Sequence, residues 1–414
     1  MMNRQAQPIR ICYFGIYDSE FCRNKVYRNG LIENGTIVLE CSDRSGGLMK
    51  YLTLFLKHWR IRNNYDVMIV GYPGYIIVPF ARLITRKPII FDALCSFYET
   101  QVISRDAYVG VPFRIQYIRF IDWLANISAD RILVETEPQR KYYIENMHVP
   151  QSKCISVLTG VDNTKFFYDV AIPKNKMFTV LFRGRLTREA GVRHIINAVK
   201  LLENEPIKFV VVGFSFGKVV QDLYEQIQKY QLKNLEFIEK QLPMDELFRI
   251  MNSAHVSLGQ FEDNVRLTRT IPHKAFESLA MRIPYITADV LGIRELLQDG
   301  ENCLTVPAAN PEALAQKILM LKNDVMLQKK LTENGFATYR SKFTTKILGK
   351  EVLDVVRDIL STTLEQKIKS SNTGFLRRGG ECSDTEGGNS QVDTDGYYSS
   401  NNGSKNTPHK NEYS

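Results

Sequence analysis

Short apolar runs closed by glycine or polar turns alternate with helix-length segments through the first 166 residues, and the alternation restarts at residue 178. A strand of a parallel sheet reads as a near-continuous apolar run because helices cover both of its faces. The runs IRICYFG (9–15), IVLECS (37–42), DVMIVGY (66–72), PIIFDALC (88–95) and ADRILVET (129–136) have this character, and ISVLTGVDNTKF (155–166) closes the series. A second series follows at FTVLFRGRL (178–186), IKFVVVG (207–213), LEFIEK (235–240) and HVSLGQF (255–261). Between them the spacing predicts helices, among them about Lys25 to Glu33 and Val192 to Leu202. Two doubly wound α/β domains are predicted, with ligands at the carboxyl ends of their strands.

With 414 residues and 44% hydrophobic content, the chain is long enough for two cores and a tail. Its net charge of +9 suits an anionic partner: a nucleotide diphosphate, an anionic lipid head group or nucleic acid. No nucleic-acid motif accompanies the charge, so that partner is set aside. The seven cysteines are scattered and never form Cys-x-x-Cys, an expectation of free thiols in a reducing, cytoplasmic setting. No signal-type segment and no unbroken apolar run of ~18 residues is visible, so the chain is expected to be soluble or peripheral to a membrane. The segment SGGLMKYLTLFLKHWRIR spaces Leu48, Leu52, Phe55 and Trp59 as one helical face, and no carboxylate occurs between Asp43 and Asp66. It reads either as a sheet-covering helix with a solvated basic side or as a contact with the anionic inner face of a membrane.

The stretch from Arg266 to Gly300 carries the most chemistry. Thr270 as N-cap and Pro272 in the first turn predict a helix start, whose amides and dipole would face a loop holding Arg266 and Arg269. Lys274 and Glu277, three apart, share one face of that helix. A carboxylate one turn beyond a phosphate site is placed to accept from ribose hydroxyls, so the implied ligand is a nucleotide diphosphate. A plain amphipathic helix with a surface Lys–Glu pair is the other reading.

The run IPHKAFESLAMRIPYITADVLGIRELLQDGENCLTVPAANPEALAQKI resembles the donor-binding signature of the retaining glycosyltransferases of family 4, the glycosyl transferases group 1. The resemblance implies the GT-B fold, two Rossmann-like domains facing across a cleft. The first, 1–168, would bind the acceptor; the second, 177–342, would bind the nucleotide sugar. A helix over 343–369 would cross back to the first domain, and the Gly-, Ser- and charge-rich tail 370–414 is expected to be disordered. In the family a glutamate at the position of Glu277 holds the ribose. Gly-x-x-Glu near Gly292–Glu295 and Asp-Gly-x-Asn near Asp299–Asn302 follow at the family's spacing. The Gly-Val-Asp-x-x-x-Phe before the linker at 166–176 is also similar.

The resemblance implies a catalytic set of Arg185, Lys274 and Glu277. Donor binding would fall to Arg183, Arg188, Gly213, Arg269, Thr270, Ile271, His273 and Glu277, and the acceptor side to Arg28, Asn29, Asp92 and Ser96. Arg28 and Asn29 lie in RNKVYRNG, where the family often has a glycine-rich loop; Asp92 and Ser96 mark a strand's carboxyl end, though a helix-capping Asp is the other reading. The chain departs from the family pattern twice. Ala190 stands where Glu-Lys-Gly would place a lysine, and Arg269 stands eight positions before Glu277 where a first glutamate is common. Lys274, Arg188 or Arg269 would then restore the positive charge.

No cofactor and no metal is expected, since the six histidines have no ligand spacing and Asp393-Thr394-Asp395 lies in the tail. The expected partners are a nucleotide sugar and a glycan or lipid-linked glycan acceptor. Because two family charges are missing, a catalytically inactive GT-B nucleotide- or partner-binding protein stays open, as does a sugar-nucleotide epimerase.

Overall fold

The computed structural model describes residues 7–103, 111–215 and 218–378, with side chains described as far as residue 365. In the first domain the strands are β1 (Arg10–Gly15), β2 (Ile37–Ser42), β3 (Val67–Val70), β4 (Ile89–Leu94), β5 (Arg131–Val134) and β6 (Cys154–Ser156). The helices between them are α1 (Cys22–Glu33), α2 (Met49–Ile61), α3 (Ile77–Ile84), α4 (Pro112–Ser128) and α5 (Glu137–Asn146). All strand pairs are parallel, in the order β2-β1-β3-β4-β5-β6. Because β1 lies inside the order, the crossover to β2 runs one way along the sheet and all later ones run the other. Right-handed crossovers therefore place α1 on one face and α2 to α5 on the opposite face.

The second domain repeats the plan with β7 (Phe178–Arg185), α6 (Val192–Leu201), β8 (Ile207–Phe214), α7 (Lys218–Tyr230), β9 (Leu235–Glu239), α8 (Met244–Ser253) and β10 (Val256–Leu258). There follow α9 (His273–Ala280), β11 (Tyr285–Ala288), β12 (Leu304–Val306), α10 (Pro311–Asn323) and α11 (Val325–Lys342). Its strand order is β12-β11-β10-β7-β8-β9, again parallel. Both predicted sheets are present. Helix α10 starts as its sequence dictates, with the Asn310 side chain accepting from the Ala313 amide at 2.9 Å and Pro311 in the first turn.

Helix α12 (Thr345–Arg378) packs on the first domain; the helix expected there spans 343–369, and α12 runs nine residues past that end. A Cβ on Gly30 of α1 would stand 2.2 Å from the Thr345 carbonyl and 2.7 Å from the Gly349 Cα, so the two backbones cross in near contact. Tyr27 and Leu31 of α1 share one core with Leu348, Val352 and Val356 of α12, and through Phe343 that core reaches Phe276 and Leu279 of α9. Residues 1–364 make one unit. Of the expected disordered tail, 370–378 are helical, and 379–414, with Asp393 and Asp395, lie outside the described residues. Among the described residues no helix is long and apolar enough to cross a membrane.

Candidate active site

A cleft of about 640 Å³ lies where the carboxyl ends of the two sheets meet. The second domain contributes the end of β7 (Arg183, Gly184, Arg185) and the segment from Thr270 to Lys274 with Glu277; the first contributes Phe21, Cys22, Cys95 and Glu135. Thus five of the residues expected to bind the donor, Arg183, Thr270, Ile271, His273 and Glu277, converge with Arg185 and Lys274 of the expected catalytic set.

The helix start differs from the expectation. Pro272 is the N-cap of α9, which begins at His273, and Thr270 instead closes the 3₁₀ turn Val265–Arg269. The amide of Ile271 donates to Glu135 Oε2 at 3.1 Å, so it is tied to the first domain, and the Ile271 side chain is core. Lys274 and Glu277 do share the cleft face of α9, as their spacing requires.

Lys274 is nine-tenths buried, its ammonium 4.6 Å from the centre of the Phe182 ring and against Gly184, where a Cβ would meet Nζ at 3.1 Å. The ammonium has no hydrogen bond or ion pair with any described residue, while the Lys274 carbonyl accepts from Ser278 Oγ at 2.6 Å. Burial, then the neighbouring Arg183, push its pKa down to about 7, while Glu189 acts in the opposite sense. His273, 5.6 Å ring to ring from Phe21, is pushed down to about 4 by burial and then by Arg183, which keeps it neutral at pH 7. The Glu277 carboxylate pairs with the guanidinium of Arg183. With about four lone-pair sites, a carboxylate so paired still accepts further hydrogen bonds.

Two expected cations are placed otherwise. Arg269 turns to the first domain, where Nη2 and Nε reach Glu99 Oε1 at 2.6 and 3.1 Å. Arg188 is exposed and is not among the residues that line the cleft. Arg266 does line it, with Nη1 on Glu189 Oε2 at 2.9 Å. Ala190, in the lysine's place, is buried in the core of the second domain. Of the three candidates to replace the missing charge, Lys274 is therefore the one at the cleft. Gly213 has a backbone reason of its own: a Cβ there would stand 2.1 Å from the Gly184 carbonyl of the adjacent strand.

None of the four residues expected on the acceptor side lines the cleft. Arg28 and Asn29 belong to α1, which starts three residues earlier than predicted, and neither lines the cleft. Arg28 pairs with Glu40 at 3.2 Å. Asp92 is fully buried on Arg23 Nε at 2.7 Å, and Arg23 also donates to the Val157 carbonyl at 2.9 Å. Ser96 is buried too and caps its own turn, its amide donating to Glu99 Oε2 at 3.0 Å and its hydroxyl accepting from the Glu99 amide at 3.0 Å. Polar residues set among apolar ones at a strand end look alike in sequence whether they face a cleft or hold a loop.

A second hollow, about 400 Å³, adjoins the cleft and shares Arg183, Gly184 and Arg185 with it. Gly213, Phe214, Leu242, Met244 and Leu247 give it apolar walls, with Gln241 beside them. Apart from Gly213, these wall residues carried no sequence signal, because a short apolar loop after a strand looks like core. Glu99 and Glu135, the partners of Arg269 and Ile271, were missed for a similar reason: a buried carboxylate declares itself only through its partner.

Residues 164–338 match the family described as glycosyl transferases group 1. The match takes in the whole of the second sheet, from β7 to β12. It is 22% identical over 325 residues to the capsular polysaccharide biosynthesis glycosyltransferase CapM of Staphylococcus aureus, covering 74% of this chain and 78% of that one. It is 25% identical over 191 residues to the alpha-D-kanosaminyltransferase of Streptomyces kanamyceticus, covering 44% and 45% of the two. The fold superposes on HepE of Anabaena in complex with UDP and glucose at a TM-score of 0.64, with 14% identity, over 84% of this chain and 100% of that one. The sucrose-phosphate synthase of Thermosynechococcus elongatus gives 0.68 at 14% identity, over 86% and 100%. The chain thus has the GT-B fold predicted from its sequence, and the glycosyltransferases it is similar to include ones of capsular and cell-surface polysaccharide synthesis.

Proposed function

We propose that this glycosyltransferase moves a sugar, with retention at the anomeric carbon, from a nucleotide-diphosphate donor to a hydroxyl of a glycan or lipid-linked glycan of the cell-surface polysaccharide type. The observation that carries the reading is Lys274: an ammonium nine-tenths buried without an ion pair, one turn from the Glu277 carboxylate and lining the same cleft as Arg185. A buried cation without a counter-charge is costly, and a diphosphate entering the cleft supplies that charge. Glu277 then accepts from the ribose hydroxyls, and the apolar hollow around Gly213 and Leu242 takes the base.

In such a transfer the bond from the anomeric carbon to the diphosphate breaks, the acceptor oxygen bonds to the same face of that carbon, and the acceptor's proton passes to the departing phosphate oxygen. Lys274 and Arg185 stabilise the charge that develops on that oxygen. The scheme needs neither a metal nor a cofactor, and activity that survives a chelator tests this part of it. The working place is the inner face of a membrane, where the protein meets its acceptor peripherally. A nucleotide sugar that stabilises the wild type but not Lys274→Ala supports the reading; stabilisation of neither contradicts it. The inactive-protein alternative has Ala190 in its favour, and hydrolysis of the bound donor separates the two.

A further inference from the structure

Helix α2 buries only Leu54 and His58. The stripe that its spacing would lay against the sheet points outward instead: Leu48 is 83% exposed, Leu52 51% and Trp59 53%. Helix α4 does the same with Phe113, 82% exposed, and with Tyr117, Phe120 and Trp123. The two helices belong to one layer on the sheet, with α3 between them. Tyr51 of α2 packs edge-on against Phe80 of α3 with ring centres 5.5 Å apart, and Arg82 of α3 donates to the Ser128 carbonyl at the end of α4 at 3.0 Å. Leu83 of α3, 85% exposed, continues the apolar surface across the gap.

The helices of this face are predominantly basic. Lys50, Lys57 and Arg60 lie on α2, which has no acidic residue and whose Lys57 pairs with Asp43 at 3.7 Å, and Arg114 and Arg119 lie on α4. The single carboxylate of α4, Asp122, is buried and accepts from the amides of Phe97 and Tyr98 at 2.8 and 2.9 Å. Aromatic rings interleaved with basic side chains match the head-group layer of an anionic bilayer, where rings sit among the head groups and each cation gains from the surface potential. A water-facing helix has no reason to expose its apolar stripe while burying two residues.

We propose that the outer face of α2, α3 and α4 docks on an anionic lipid bilayer. The surface is separate from the cleft, so the proposal does not depend on the glycosyl-transfer reading: vesicle binding and nucleotide binding can each fail while the other holds. The chain contains two tryptophans, Trp59 and Trp123, and both lie on this face. Intrinsic fluorescence therefore reports on it directly.

The test adds vesicles of phosphatidylcholine, with or without phosphatidylglycerol, to the full chain at low and high salt. Tryptophan emission is followed alongside cosedimentation. With anionic vesicles at low salt the emission shifts to the blue and the protein sediments; salt weakens both. Lys50→Gln with Arg60→Gln lowers the partition roughly twenty-five-fold, about fivefold for each cation. Trp59→Ser with Trp123→Ser lowers sedimentation while the circular dichroism spectrum and the cooperative thermal unfolding stay as in the wild type, which shows that the fold persists. Emission unchanged by anionic vesicles, with the protein in the supernatant at low salt, overturns the proposal. So does equal binding to pure phosphatidylcholine, or a blue shift that follows protein concentration without lipid, which would assign the face to a second copy of the chain.

Discussion

The guanidinium of Arg269, on the loop before the donor-side helix, closes on the Glu99 carboxylate of the first domain at 2.6 and 3.1 Å. Glu99 is fully buried and also accepts from Gln139 Nε2 at 2.6 Å. Close by, Thr136 Oγ1 donates to the Arg269 carbonyl at 2.5 Å and the Glu137 amide to Glu295 Oε1 at 2.5 Å. An arginine at a place where the family commonly has a glutamate thus joins the domains beside the cleft.

Removing Arg269 leaves a buried carboxylate without its cation, a loss of typically 3–5 kcal/mol. Arg269→Ala is expected to lower the unfolding free energy by roughly that amount in urea, while nucleotide still protects the folded protein. Selective loss of nucleotide protection at unchanged stability would return Arg269 to the donor site.

Lys274, at about 7, ties donor binding to pH. As pH rises through 7 the ammonium loses its proton, so affinity for a nucleotide diphosphate is expected to weaken by up to about tenfold per pH unit. At pH 8 binding takes up a proton, which calorimetry in buffers of different ionisation enthalpy detects. The free protein behaves in the opposite sense. The unfolded lysine, near 10.5, holds its proton where the folded one does not, so this group makes stability rise with pH between 7 and about 10.

Arg185→Ala and Lys274→Ala are each expected to reduce turnover by about 10²–10³, roughly 3–4 kcal/mol, with the fold intact by circular dichroism. Wild-type turnover in both variants would remove these residues from the mechanism.

Asp92 and Arg23 predict a purely structural phenotype. Asp92→Ala strands a fully buried guanidinium and is expected to cost about 3–5 kcal/mol of stability. The KM for acceptor should stay unchanged in whatever fraction remains folded. A raised acceptor KM at normal stability would favour the sequence-based reading of this residue.

Gly30→Ala tests the return of α12. Its Cβ would meet backbone atoms at 2.2 and 2.7 Å, which no rotamer change relieves, so a destabilisation of about 1–3 kcal/mol is expected from the forced separation of the helices.

The fold was legible because the inner strands β1, β3, β4 and β7 are buried apolar runs, and Pro311 and Gly35 mark a helix start and stop where the chain uses them. The donor side was legible from the Lys274–Glu277 spacing, since both side chains come from one helix and local geometry fixes their common face. The acceptor side was not. Whether Asp92 faces the cleft or Arg23 is decided by a contact between residues 69 positions apart, which no periodicity encodes. Helix α2 misled in a different way: its apolar stripe is real, but burial of Leu54 and His58 turns that stripe outward.

The proposal stands on the cleft holding a nucleotide-diphosphate sugar on Lys274 and Glu277. Thermal unfolding with a panel of UDP-, GDP- and ADP-sugars, with donor hydrolysis followed in parallel, tests this for the wild type, Lys274→Ala and Glu277→Ala. One nucleotide class is expected to raise the melting temperature of the wild type, either substitution to weaken this protection, and the stabilising donor to be slowly hydrolysed. Equal protection of all three proteins, or protection of none by any nucleotide sugar, would contradict it.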